Sequence, residues 1–202
     1  MSHSSVVVDR ISKDPRLGDV YVEELHGGIV FTLHHKEVTD PVVDLFTEYG
    51  CYGYILGNGS TRRDRVLNGL PPRFLSLSPG EPPDERIVEQ LGAVERLILG
   101  GGLREPINLG NLCRLQNLSL LGAHKGLSGV FENKILREFG ASFLEERLLD
   151  DLSNHASLQK LYLQHSKIKD FSSLGHLTNL RFLNIAFMRG VSDFSWVANC
   201  TQ

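Results

Sequence analysis

Leu158-Gln-Lys-Leu161-Tyr-Leu163 and Leu180-Arg-Phe-Leu183-Asn-Ile185 share the pattern L-x-x-L-x-L, with starts 22 residues apart. The same pattern recurs upstream as Leu136-Arg-Glu-Phe139-Gly-Ala141, Leu115-Gln-Asn-Leu118-Ser-Leu120 and Val94-Glu-Arg-Leu97-Ile-Leu99. Pro72-Arg-Phe-Leu75-Ser-Leu77, Cys51-Tyr-Gly-Tyr54-Ile-Leu56 and Gly28-Ile-Val-Phe31-Thr-Leu33 continue it toward the N-terminus. The steps between these starts are 21 to 23 residues throughout. A period that survives through its poorest members marks a chain built from stacked units.

The last two apolar positions of each unit alternate at spacing two, so both point to one face of a short strand. The remainder of the unit must return to begin the next strand. In one return Ile168, Phe171, Leu174 and Leu177 follow at spacing three, which suits a 3₁₀ or short helical segment. One unit cannot bury its apolar side alone, whereas stacking makes a continuous core. The expected fold is an α/β repeat solenoid. It has a parallel sheet on the concave face, 3₁₀ turns or short helices on the convex face, and strands starting near 30, 53, 74, 96, 117, 138, 160 and 182. Gly140 and Ala141 offer little side chain, so Phe139 has to supply most of the packing of its unit.

This pattern resembles the leucine-rich repeat family, in the 22-residue class found in bacterial internalins and in a eukaryotic protein-phosphatase regulator. The resemblance covers roughly residues 28–202 and is densest over 94–202. No cofactor is expected. The family's turn asparagine is replaced here by Gly59, Gly102, Ala123, Ser166 and Met188, so the turns are expected to be irregular.

Residues 1–27 do not fit the repeat and are expected to form an N-terminal cap, with Val20–Leu25 as a strand. Residues 28–202 are expected to be about eight repeats, the last closing the C-terminal edge with Trp196 and Val197. Asp84–Leu91 after Pro82-Pro83, and Phe143–Leu152 with apolar residues at 144, 148, 149 and 152, read as helical returns.

The 202 residues carry 21 Lys+Arg and 24 Asp+Glu, a net charge of −3 that argues against a dedicated nucleic-acid binder. No apolar run is long enough to cross a membrane. Met1-Ser-His-Ser-Ser-Val-Val-Val-Asp9 lacks the features of a secretory signal. The three cysteines, Cys51, Cys113 and Cys200, are too few and too scattered for a disulfide framework. A cytoplasmic location, monomeric in isolation, with unused sequons at Asn58, Asn117 and Asn199, is the expectation that follows.

Catalytic chemistry finds little support. Gly100-Gly-Gly102 and Gly57-Asn-Gly59 lack phosphate-loop spacing and read as turns. His34-His35, near Glu37 and Asp40, makes no metal-ligand motif. No Gly-x-Ser-x-Gly elbow is present.

The outward positions of the strands carry the chemistry instead. In strand order the middle column reads Thr32, Ile55, Ser76, Ile98, Ser119, Gly140, Tyr162 and Asn184. The column before it reads Val30, Gly53, Phe74, Arg96, Asn117, Glu138, Lys160 and Phe182, and the earliest includes Tyr52, Arg73, Glu95, Arg137 and Arg181. Aromatic and arginine side chains are typical interface hot spots. The expected partner-binding set is Tyr52, Arg73, Phe74, Arg96, Arg137, Lys160, Tyr162, Arg181, Phe182 and Asn184. Five cations against Glu95 and Glu138 give this face +3, on a body that carries the remaining −6. The expected function is non-catalytic binding of another protein through an acidic patch on that partner, not of nucleic acid or membrane. An immunity-type inhibitor of one toxin or enzyme leads, with an adaptor or regulatory subunit as the alternative.

Overall fold

The computed structural model describes residues 3–17, 20–33, 40–50, 52–56, 72–77, 91–101, 107–123 and 127–200. The readings of Cys51, Gly57–Gly59, Gly102 and His34-His35, and that of the helix over Asp84–Leu91 as far as Gln90, lie outside the described residues. The chain begins with helix α1 (His3–Ile11), followed by strands β1 (Tyr21–Leu25) and β2 (Gly28–Leu33) and helix α2 (Asp40–Tyr49). Strands β3 (Gly53–Leu56), β4 (Phe74–Leu77) and β5 (Arg96–Gly100) come next, then β6 (Ile107–Asn108), β7 (Asn117–Leu121) and β8 (Leu127–Ser128). The C-terminal part contains β9 (Glu138–Ser142), helix α3 (Glu146–Ser153), β10 (Lys160–Gln164) and β11 (Phe182–Ala186).

Nine strands form one sheet in the order β1-β2-β3-β4-β5-β7-β9-β10-β11. All neighbours are parallel except β1 and β2. The fold is therefore a leucine-rich-repeat solenoid, and the repeat period sets its register. Phe31, Tyr54, Leu75, Leu97, Leu118, Phe139, Leu161 and Leu183 lie side by side as one inward column. Leu33, Leu56, Leu77, Leu99, Leu120, Ala141, Leu163 and Ile185 form the second. Phe139 is fully buried and fills the space beside Gly140 and Ala141, packing edge-on against Phe131 at 5.5 Å. Burial weakens at the last strand, where Leu183 and Ile185 are only half-buried.

The returns differ in form but serve the same core. Ile168, Phe171, Leu174 and Leu177 are all buried, and Ser172–His176 is a 3₁₀ turn between them. The preceding return is α3, which buries Leu148, Leu149 and Leu152, with Leu144 buried just ahead of it. Near the N-terminus α2 places Phe46 against Phe31 and Tyr54, with ring centroids 4.3 and 4.8 Å apart.

Polar side chains tie the later turns to the ones before them. The Asn133 amide donates to the carbonyls of Leu112 and Leu115, both at 2.8 Å. One unit later two residues divide that task. His155 Nε2 lies 2.6 Å from the Asn133 carbonyl oxygen, and the Ser157 hydroxyl donates to the Leu136 carbonyl at 2.8 Å. Asn179 then donates to the Ala156 carbonyl. At the family's asparagine position, Ser166 Oγ accepts the Leu144 N–H at 2.8 Å, so a shorter side chain still closes that turn.

His155 is 3% exposed, and burial pushes its pKa below the ordinary imidazole value against the opposing pull of the Asn133 carbonyl. The unfolded chain therefore gains a proton before the folded one does, as pH falls below about 6.5. The stability that neutral His155 contributes is complete above that pH and is lost as pH drops toward the folded value. His26 is shifted in the same direction, chiefly by burial and also by Arg96. The thermal midpoint should be flat above pH 7 and fall as the pH drops below about 6.5, with a shallower fall in His155→Asn. A midpoint that rises on acidification would show the imidazolium to be the stabilised form.

Candidate functional site: the concave wall

The sheet holds the outward columns in the order expected from the repeat. Thr32, Ile55, Ser76, Ile98, Ser119, Gly140, Tyr162 and Asn184 are paired strand to strand, as are Val30, Gly53, Phe74, Arg96, Asn117, Glu138, Lys160 and Phe182. Eight parallel strands span about 35 Å.

The wall divides into two unlike halves. At the N-terminal end it is closed by the chain itself. Val30 is fully buried and Thr32 is 6% exposed, its hydroxyl 3.3 Å from Glu23 Oε1 on β1. Phe74, expected as an exposed anchor, is 1% exposed, and this corrects its place in the binding set. The cause lies in two neighbouring features. Gly53 has no side chain, and a Cβ there would collide with the Phe74 backbone and ring, so the ring lies down over the neighbouring strand. The β1–β2 turn, with positive φ at both His26 (54°) and Gly27 (77°), then brings the His26 ring to 5.1 Å from Phe74. Tyr52 stacks parallel to Phe74 at 6.4 Å. Gly53→Ala should therefore cost roughly 1–3 kcal/mol in denaturant unfolding, as overpacking does. An unchanged midpoint would show that Phe74 can move aside freely.

Arg73 and Tyr52 are also engaged within the chain. The Arg73 guanidinium makes a two-pronged pair with Glu95 at 2.9 and 2.8 Å and sits 5.5 Å from the centre of the Tyr52 ring. Arg73 remains more than half exposed, but its charge is already matched. Arg96 is half-buried.

The C-terminal half is open. Glu138 Oε2 accepts from Asn117 Nδ2 at 2.8 Å and faces Lys160 Nζ at 3.5 Å. Arg137 and Arg181 are exposed and make no side-chain pair among the described residues. Tyr162 and Phe182 contact each other at 5.0 Å with rings tilted by 37°, and Phe182 is 44% exposed. Asn184 is exposed beside Tyr162 in the paired register. The ten expected residues thus separate into Tyr52, Arg73 and Phe74, bound up internally, the half-buried Arg96 between the two halves, and a C-terminal group of Arg137, Lys160, Tyr162, Arg181, Phe182 and Asn184.

Three further exposed residues escaped the sequence reading. Phe143, His165 and Phe187 occupy the turn just past the strands, at the repeat spacing. Their signal was an aromatic residue two places beyond the last core position in three consecutive units. Among the described residues no group of three His, Cys, Asp or Glu side chains could hold a metal ion, and no helix is long and apolar enough to cross a membrane.

Residues 156–199 match the family profile described as leucine-rich repeats in two copies. Among solved structures the chain is similar to internalin C2 of Listeria monocytogenes, with 22% identity and a TM-score of 0.63 over 85% of this chain and 76% of that one. Internalin F of the same organism aligns with 19% identity and a TM-score of 0.48, over 83% of this chain and 56% of that one. No curated protein sequence matches the chain.

Proposed function

We propose that this leucine-rich-repeat chain is a non-catalytic module that acts by occupying the surface of a partner protein, as an inhibitor of one cognate toxin or enzyme. Proteins with this fold generally mediate protein–protein interaction. The observation that carries the reading is the open half of the wall. Two arginines that make no side-chain pair among the described residues accompany a half-exposed Tyr162–Phe182 pair on a parallel sheet. Aromatic anchors surrounded by orienting charges are the usual composition of an interface hot spot. A 35 Å wall is long enough for an interface of standard size, about 800 Å² per partner.

The test has two stages. Proteins captured on the wild-type chain are compared with those captured on Tyr162→Ala with Phe182→Ala, and a genuine partner must be lost from the variant. The activity of that partner is then assayed with one equivalent of the chain. Loss of activity supports inhibition. Undiminished activity with a third protein held in the same complex supports the adaptor reading. Capture that survives in the variant removes the wall as the binding surface.

A further inference from the structure

The turn after each strand holds a residue with positive φ in all five units where it is described: Gly101 (73°), Gly122 (119°), Phe143 (62°), His165 (52°) and Phe187 (56°). The sheet imposes this conformation. The Phe143 N–H donates to the Gln164 carbonyl at 2.9 Å, and the His165 N–H to the Ala186 carbonyl at 3.3 Å. Left-handed backbone favours glycine, because a Cβ crowds the following carbonyl oxygen. Two units have glycine, and at Gly122 a side chain would also come within 2.9 Å of the Gly101 backbone. The next three units carry aromatic rings in the disfavoured conformation.

Burial does not compensate for that strain. Phe143 is 53% exposed and Phe187 is 73% exposed. The rings stack on one another instead. Phe143 and His165 lie 5.5 Å apart at 20°, and His165 and Phe187 lie 4.8 Å apart at 4°. Strained, exposed aromatic residues repeated in register are the kind of feature that is kept for contact with something outside the chain.

The chemistry of the ladder selects the contact. Stacked rings turn their faces toward each other and their edges toward solvent. Ring edges are the positive side of the aromatic quadrupole, and His165 adds a nitrogen-bound hydrogen donor. That rim suits carboxylate and carbonyl oxygens. The outward positions of the same three strands carry Arg137, Lys160 and Arg181 against Glu138 alone. The ends of the stack are open to apolar groups, since the next position in the column is Gly122 on one side and Phe187 is largely bare on the other. From Arg181 to Phe187 is six residues along the strand, about 20 Å, which an extended segment of similar length would span.

We infer that an acidic segment of a partner protein crosses the C-terminal edge of the wall, setting carboxylates against Arg137, Arg181 and His165 and apolar side chains against Phe143 and Phe187. The inference rests on the reading of the chain as a protein-binding module, and adds to it a second contact surface and the chemistry of the bound segment.

Random 14-residue peptides displayed on phage and selected on the immobilised chain provide the probe. The wild type should enrich peptides with several carboxylates beside an aromatic or aliphatic residue. The best of these, synthesised and titrated calorimetrically, should bind at least about tenfold more weakly to the triple variant Phe143→Gly, His165→Gly, Phe187→Gly. The thermal midpoint of that variant should hold or rise, because glycine relieves the backbone. A fallen midpoint with unchanged affinity would make the ladder a structural staple and overturn the inference. If midpoint and affinity fall together, Phe187→Ser decides: weaker binding supports the inference and unchanged binding overturns it. Binding kept by the triple variant but lost in Tyr162→Ala with Phe182→Ala would overturn the ladder while sparing the protein-binding reading. No enrichment on the wild type, or binding indifferent to both sets of changes, would count against both. Enrichment of basic peptides would overturn the assigned chemistry. So would ladder-dependent binding to phosphatidylserine–phosphatidylcholine vesicles without acidic peptides, which would make a membrane the occupant.

Discussion

Leu161→Ala is expected to destabilise the chain by about 2–5 kcal/mol, and Tyr162→Ala by far less. The two residues are adjacent in sequence and in β10. Leu161 is fully buried between Phe139 and Leu183 of the flanking strands, whereas Tyr162 is half-buried on the opposite face. The leucine truncation loses transfer free energy and leaves a cavity that a stacked core closes only in part. Leu183→Ala, at the same register position in β11, should cost less than Leu161→Ala because Leu183 is only half-buried. Denaturant midpoints of the three variants check the order. Equal losses for Leu161 and Tyr162 would mean that the faces are reversed.

Reversing Arg137 and Arg181, which have no side-chain partner among the described residues, should have the largest effect on binding. Arg137→Glu with Arg181→Glu is expected to lower the association rate with an acidic partner by about tenfold or more at low salt, and the wild-type rate should itself fall as salt is added. The stability of this variant should be nearly unchanged, because both side chains are exposed and lack described partners. Arg73→Glu is the contrasting control. It breaks the Glu95 pair and should disturb the closed half of the wall more than the association rate. An unchanged or faster association rate in the double variant would refute an acidic partner surface.

The period of 21 to 23 residues placed every strand of the repeat, because a spacing of two fixes which side chains share a face. The strand starts read from the sequence match the observed Gly53, Phe74, Arg96, Asn117, Glu138, Lys160 and Phe182. The expected helical return over 143–152 is realised as α3 only from Glu146, with Phe143 in the left-handed turn before it, and the residues at spacing three form a buried row around a 3₁₀ turn. Helix α1 was not legible. Its Val6-Val7-Val8 run favours extended backbone, yet Ile11 is fully buried and Val7 and Val8 pack on the core, so burial outweighs local preference.

The sequence by itself determined the repeat, the inward columns and the order of the outward ones, since each depends only on the spacing of apolar residues along the chain. The tertiary structure alone decided which outward residues are available. Phe74 and Phe182 occupy equivalent positions in their strands. One is covered because Gly53 gives it room to lie flat and the β1–β2 turn brings His26 onto it, and the other stands open on the last strand. Likewise Arg73 and Arg137 share a column, but only Arg73 has a carboxylate from the next strand within reach. Exposure and charge pairing depend on neighbours that are distant in the chain, whereas facing depends on neighbours two residues away.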